Sequence, residues 1–310
     1  SINNPIFTPS RFWIVDTAFG LSPKPGLDAK FLHYFCLSYD FSMHNRGTTI
    51  PSLVKTELLQ IRMPVPPLPE QLRIVGILDE ALAAIANAKA QTERNLQNAR
   101  ALFQVVLSTA VMGDITQEWR NSNHAGKTSA AVDLKELLLQ ISMTERKSIR
   151  GEETTGNETI TGALPGEWRH ASIEMLFNLI DYRGKTASRS ETGRRLITAK
   201  NIKMGYLSDE PVTFISEEQY KKWMVRGFPK LGDILFVTEG HTMGFVALNT
   251  RTDDFALAQR TITLQPPVPF NTKYFFYFML SSHFQNLVKV NATGAAAVGM
   301  KASKFRSLPL

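Results

Sequence analysis

The residue patterns that would give this 310-residue chain bond-making chemistry of its own are incomplete. Methyl transfer to adenine needs a glycine-rich cofactor loop after a strand, and an Asn/Asp-Pro-Pro-aromatic motif at the target base. Neither is present: Pro266-Pro267 follows Gln265 and precedes Val268, so the pair reads as a loop breaker. Arg183-Gly184-Lys185-Thr186 lacks the first glycine and the spacing of a phosphate-cradling P-loop. Cys36 and the six histidines are scattered without metal-ligand spacing. The pairs Glu217-Glu218 and Asp253-Asp254 fall beside loops or helix starts, where capping or surface charge accounts for them.

The remaining polar residues suit contact with a polyanion. Tyr182 to Arg189 carries Arg183, Lys185 and Arg189, with Gly184 and Ser188 leaving the backbone free to approach a phosphate. Thr198-Ala199-Lys200-Asn201 lies at a strand end, where Lys200 suits a phosphate and Asn201 an adenine edge. Thr238-Glu239-Gly240-His241-Thr242 forms a turn between two strands. Glu239 there would accept a hydrogen bond from a cytosine amino group, and His241 is a candidate base reader. Gln259 and Arg260 precede a strand, and Ala295 to Lys301 forms a small-residue loop ending on Lys301.

Bulk properties fit this reading. Lys and Arg total 35 against 28 Asp and Glu, giving a net charge of +7 and a pI near 9.4, which permits a nucleic-acid partner. A single cysteine allows no internal disulfide and suits a reducing, cytoplasmic setting. No apolar run approaches the roughly 18 residues that a membrane span needs. The chain starts at Ser1 and stops in an apolar stretch at Leu310, so a fragment is expected.

An internal repeat organises these residues. Residues 12–41 match residues 255–284 without a gap at an offset of 243, with nine identities in thirty positions. They include Phe12/Phe255, Leu21/Leu264, Lys30/Lys273, Tyr34/Tyr277, Ser38/Ser281 and Phe41/Phe284. After a four-residue insertion the match resumes at Gly47/Gly294 and keeps its apolar rhythm through Leu58/Phe305 and Ile61/Leu308. So long a period implies two domains of one kind. The second copy starts near Leu164, which would place the start of the first before Ser1. Within it, 196–202, 233–237, 244–248 and 261–264 read as strands and 274–280 as a buried helix.

Between the copies, Pro66-Pro67-Leu68-Pro69-Glu70-Gln71 opens a long helix. Its seam, Val75, Leu78, Leu82, Ile85, Lys89, Thr92, Leu96, Ala99, Phe103 and Val106, steps by three and four, a period near 3.5. Gly113 is a natural stop. The helix would span on the order of 60 Å and needs a partner to cover its seam; two antiparallel helices in the intact protein are expected. Residues 121–162 read as a polar linker, with 134–143 either a short helix or a packed loop. The expected class is α+β. The expected divisions are the C-terminal part of a first recognition domain (1–65), a helical spacer (66–120), the linker (121–162) and a second recognition domain (163–310).

This arrangement resembles the specificity subunits of type I restriction-modification systems. Pro66-Pro67-Leu68-Pro69-Glu70-Gln71-Leu72-Arg73-Ile74-Val75 resembles the opening of that family's central helix, and Ala110-Val111-Met112-Gly113-Asp114-Ile115-Thr116-Gln117-Glu118-Trp119-Arg120 its close. Trp13 to Phe19 resembles a late segment of one class of recognition domain, and Leu164-Pro165-Gly166-Glu167-Trp168 a domain start. The resemblance implies a non-catalytic, sequence-specific reader of double-stranded DNA with a bipartite site. Methyltransferase subunits would use S-adenosylmethionine, and a restriction and translocase subunit ATP and Mg²⁺; none of these cofactors would bind this chain. Glu70, Gln71, Arg73, Glu93, Arg94 and Arg100 on the helix are candidates for holding the methyltransferase subunits. The rival readings are a methyltransferase or nuclease with its own active site, and a coiled-coil protein adaptor.

Overall fold

In the computed structural model the described residues are 2–15, 18–47, 51–122, 136, 139–140, 164–166, 168–184, 186–268, 270–294 and 298–310. The expected linker therefore lies almost wholly outside them. The chain divides into two compact units, Ser1–Asn98 and Ala99–Leu310.

Unit 1 contains helix α1 (Ala29–Ser38), a 3₁₀ turn (Phe41–His44), helix α2 (Lys55–Leu58) and the first part of helix α3 (Leu68–Val111). The Asp28 carboxylate caps α1 by accepting from the Lys30 and Phe31 amides, at 2.9 Å each. Gln71 is fully buried: its Oε1 accepts from the Asp28 amide at 2.8 Å, while Nε2 donates to the Gly26 and Pro66 carbonyls at 3.0 and 2.8 Å. One side chain thus fastens the start of α3 to the start of α1. Asp79 adds a second tie, accepting from Lys30 Nζ at 2.6 Å and from the Tyr34 hydroxyl.

Helix α3 has 44 residues, about 65 Å at 1.5 Å per residue. Val75 is buried near its start and Leu107 and Val111 near its end, whereas every residue from 80 to 106 is exposed. The expected seam side chains Leu82, Ile85, Leu96, Phe103 and Val106 are among them. After the helix, Gly113 takes φ +85°, and a Cβ there would meet the Pro165 and Trp168 side chains at 2.9 and 3.0 Å. Only glycine satisfies both the left-handed turn and the close approach. A 3₁₀ turn (Asp114–Thr116) and helix α4 (Gln117–Ser122) follow.

The rest of unit 2 comprises helix α5 (Ile173–Leu176), strands β1 (Asn178–Asp181), β2 (Arg194–Ile197), β3 (Ile202–Lys203), β4 (Tyr206–Leu207) and β5 (Phe214–Ile215), helix α6 (Glu217–Trp223), strands β6 (Ile234–Val237), β7 (Val246–Leu248), β8 (Phe255–Leu257) and β9 (Thr261–Gln265), and helices α7 (Thr272–Leu280), α8 (Ser282–Val290) and α9 (Ala302–Arg306). An antiparallel sheet runs β1-β9-β6-β7. A second sheet runs β5-β2-β8, with β2 and β8 parallel. Strands β3 and β4 form a hairpin.

Strand alternation builds the layers. Along β6, Ile234 and Phe236 join a core with α7, α8, α9 and the end of α3, while Leu235 and Val237 face a second core containing β2, β8 and α6. The four-stranded sheet is thus covered on both faces, and one of its two inner strands, β6, is apolar at every position. Leu308 and Leu310 close the unit by exchanging backbone hydrogen bonds with Ala171 and Ile173.

The repeat is visible element by element. Helix α1 corresponds to α7, and Asn271 caps α7 through the Lys273 amide as Asp28 does through Lys30. Ser38 and Ser281 hydroxyls donate to the carbonyls three residues earlier, and Phe41 and Phe284 are both buried. Helix α2 corresponds to α9 across the insertion. The copies differ upstream: Phe255 and Leu264 are 2% and 0% exposed, whereas Phe12 and Leu21 are each 58% exposed. In unit 2 those residues sit on β8 and β9, paired with β2, β1 and β6; among the described residues of unit 1 no strand exists to cover their counterparts.

The expected strand over 196–202 is instead the end of β2 and the start of β3, interrupted at Asn201. Asn201 is 0% exposed; its Oδ1 accepts from the Thr198 amide and hydroxyl, and its Nδ2 donates to the Ser208 and Pro211 carbonyls. This turn-locking role breaks the strand.

Candidate nucleic-acid interface

Four segments of unit 2 meet beyond the ends of β1, β6 and β9. The turn after β6 joins the segment before α9 through the Gly240 amide, which donates to the Val298 carbonyl at 2.8 Å. The Met300 amide donates to the Thr238 carbonyl at 3.0 Å, and the Thr238 amide to the Arg260 carbonyl, also at 3.0 Å. The Thr186 hydroxyl donates to Gln259 Oε1. The segment after β2 comes in alongside, because the Ala258 amide donates to the Ile197 carbonyl at 2.8 Å. Short strands place these turns together, since a ladder fixes the register of whatever follows it.

The cluster presents cations and polar groups to solvent. Lys200, His241, Arg260 and Lys301 are exposed, and Glu239, Thr242 and Gln259 are half-buried. Arg189 is also exposed, but it stands apart beside β5, where the Ser190 amide donates to the Phe214 carbonyl at 3.0 Å. Gly240 takes φ +86°, a left-handed turn conformation that favours glycine. Lys185 lies outside the described residues.

Three expectations for this surface are corrected. Asn201 is buried with both ends of its amide occupied, so it does not reach a base edge. Thr238 is 0% exposed; its hydroxyl is turned to the Arg260 carbonyl at 3.3 Å. Arg183 has a side chain only 13% exposed and pairs with Asp181 at 2.6 Å. Burial pushes the Asp181 carboxyl up, but hydrogen bonds and charge from Arg183, with Arg226 beyond, hold it below the ordinary range. Sequence reading missed Asp181; a carboxylate two residues before Arg183 at a strand end was the available signal.

On α3, Glu70, Arg73, Glu93, Arg94 and Arg100 are exposed. Gln71 is corrected: it is spent on the α1 and α3 starts and presents nothing to a partner. Among the described residues, no group of three or more His, Cys, Asp or Glu could hold a metal ion, and no helix is long and apolar enough to cross a membrane.

Residues 3–97 match the family model of the type I restriction modification DNA specificity domain. Over part of its length the chain is similar to curated specificity subunits. Over 118 residues it is 30% identical to the type I restriction enzyme EcoDI specificity subunit of Escherichia coli, covering 36% of this chain and 27% of that protein. Over 105 residues it is 32% identical to the EcoKI specificity subunit of Escherichia coli strain K12, covering 33% and 23%. The matches thus span about a quarter of these curated relatives. In fold, the chain aligns with a chain solved in work on complex assembly and conformational transition of the type I restriction-modification system. That alignment has a TM-score of 0.50 and 14% identity, and covers 92% of this chain and 59% of the other. The α+β fold with its long helix is therefore shared with that chain.

Proposed function

We propose that this chain reads double-stranded DNA as the specificity subunit of a type I restriction-modification complex and carries no catalytic centre of its own. The observation that carries this is the convergence of His241, Arg260 and Lys301 on turns tied together at one end of a doubly covered sheet, with Lys200 on the turn that follows the adjoining β2. Cations there suit phosphates, and the polar groups between them suit base edges. The relatives, named as specificity subunits of restriction enzymes, support the same role.

The finer reading is a division of labour. Each homologous unit reads one half of a split site, with α3 setting the gap. The exposed Glu70, Arg73, Glu93, Arg94 and Arg100 hold methyltransferase subunits, and a restriction and translocase subunit joins them. Methyl donor, ATP and Mg²⁺ belong to those partners, and the complex acts in the cytoplasm. The exposed seam of α3 is covered by a second, antiparallel helix. Lys30 and Tyr34 bind Asp79 of α3, and their repeat counterparts Lys273 and Tyr277 stand exposed on α7, ready for an equivalent carboxylate.

The test is binding of the purified chain to duplex DNA across a salt series. Affinity that falls steeply with salt is expected; affinity indifferent to salt, or turnover of DNA by the chain alone with Mg²⁺ or methyl donor, would overturn the reading.

A further inference from the structure

One side chain closes the network that holds the reading surface together. Arg183 donates from Nε to both oxygens of Asp181 at 3.0 Å, from one terminal nitrogen to Asp181 Oδ2 at 2.6 Å, and from the other to the Met300 carbonyl at 2.9 Å. Met300 passes the connection on through its amide to the Thr238 carbonyl, and Thr238 through its own amide to the Arg260 carbonyl. Met300 and Thr238 are buried, so these links are shielded from water. The path from β1 through the segment before α9 to the turns after β6 and before β9 is continuous. Three of those stretches carry an exposed candidate reader: Lys301, His241 and Arg260.

We propose that Arg183 and Asp181 form an internal clamp that sets segment 298–301 against the β6 and β9 turns, fixing sequence preference without touching DNA. This rests on the DNA-reading function proposed above. The guanidinium's planar fork suits the task because it meets a carboxylate and a carbonyl at once, which a lysine ammonium does not reproduce. Its charge is answered by Asp181, so it offers little attraction to a phosphate. Arg183 is therefore a positioning residue.

Three variants of the full chain separate clamp from phosphate ligand: Arg183→Lys, Arg183→Ala and Asp181→Asn. The clamp requires all three to lower the ratio of preferred-site to random-duplex affinity by roughly tenfold, the scale of one misread base pair, with the salt dependence of binding unchanged. A phosphate contact requires the opposite pattern: Arg183→Ala flattens the salt dependence, Arg183→Lys largely preserves binding, and Asp181→Asn tightens it by freeing a cation. That pattern would overturn the clamp while leaving DNA reading intact. Without DNA, hydrogen exchange at the Met300 amide is expected to speed up in Arg183→Lys while amides of β6 and β9 keep their protection. Unchanged exchange at Met300 would also overturn it, and loss of protection throughout the sheet would reduce Arg183 to a general folding role. Absence of salt-dependent binding by the wild-type chain is the separate result that removes the DNA-reading function.

Discussion

Two buried amides, Gln71 and Asn201, hold the irregular parts of this fold. Each bridges backbone groups that have no helical or ladder partner, and a buried polar group left unpaired costs about 1–3 kcal/mol. Gln71→Ala is therefore expected to destabilise unit 1 by about that amount, read as lost amide protection in α1 with unit 2 unchanged. Asn201→Ala should weaken unit 2 similarly in denaturant unfolding, while its folded fraction keeps the wild-type salt dependence of DNA binding. A flattened salt series would return Asn201 to the interface. Both residues read as surface groups in the sequence because short polar side chains at strand ends and helix starts usually face water. What surrounds them, carbonyls contributed by residues up to 45 positions away in the case of Gln71, is settled by packing. Arg183 misled for the same reason: its charge was legible, its carboxylate partner's geometry was not.

The elements divide by length in how far their sequence announces them. Proline and glycine punctuation bracket α3, and its 3.5-residue rhythm gives its extent; the observed helix, Leu68–Val111, sits between those marks. Strand β8, three residues buried on both faces, has no alternation to betray it, and neither do the two-residue strands β3, β4 and β5. Docking of α1 on α3 is expected to depend on pH through Asp79. Hydrogen bonds from Lys30 and then Tyr34 hold its carboxyl below the ordinary range. A carboxyl depressed on folding stabilises above its unfolded value and stops doing so as pH falls through the folded one. Amide protection in α1 is expected to drop on acidification below about pH 4, and Asp79→Asn should remove that dependence. The α3 seam invites a different test. Leu82→Glu with Leu96→Glu alters exposed positions, so chain stability should change by less than about 0.5 kcal/mol for each. Any helix pairing across the seam should vanish in sedimentation.

At the scale of the whole molecule, the excess of seven positive charges favours a polyanionic partner; under the proposed function, the loop cluster would decide where that attraction becomes selective. Arg260→Ala and Lys301→Ala are each expected to reduce the slope of log affinity against log salt by about 0.9, the share of one neutralised phosphate. His241→Ala should alter site preference with little change in slope. Strand pairing also brings Leu308 and Leu310 back against Ala171 and Ile173, so two stretches far apart in sequence meet at one seam. If the unit reads DNA as proposed, the residues between those two points would be replaceable by another reader that offers Leu107, Val111 and Met112 an apolar seat, and a changed site preference with unchanged stability is the expected outcome of such a graft.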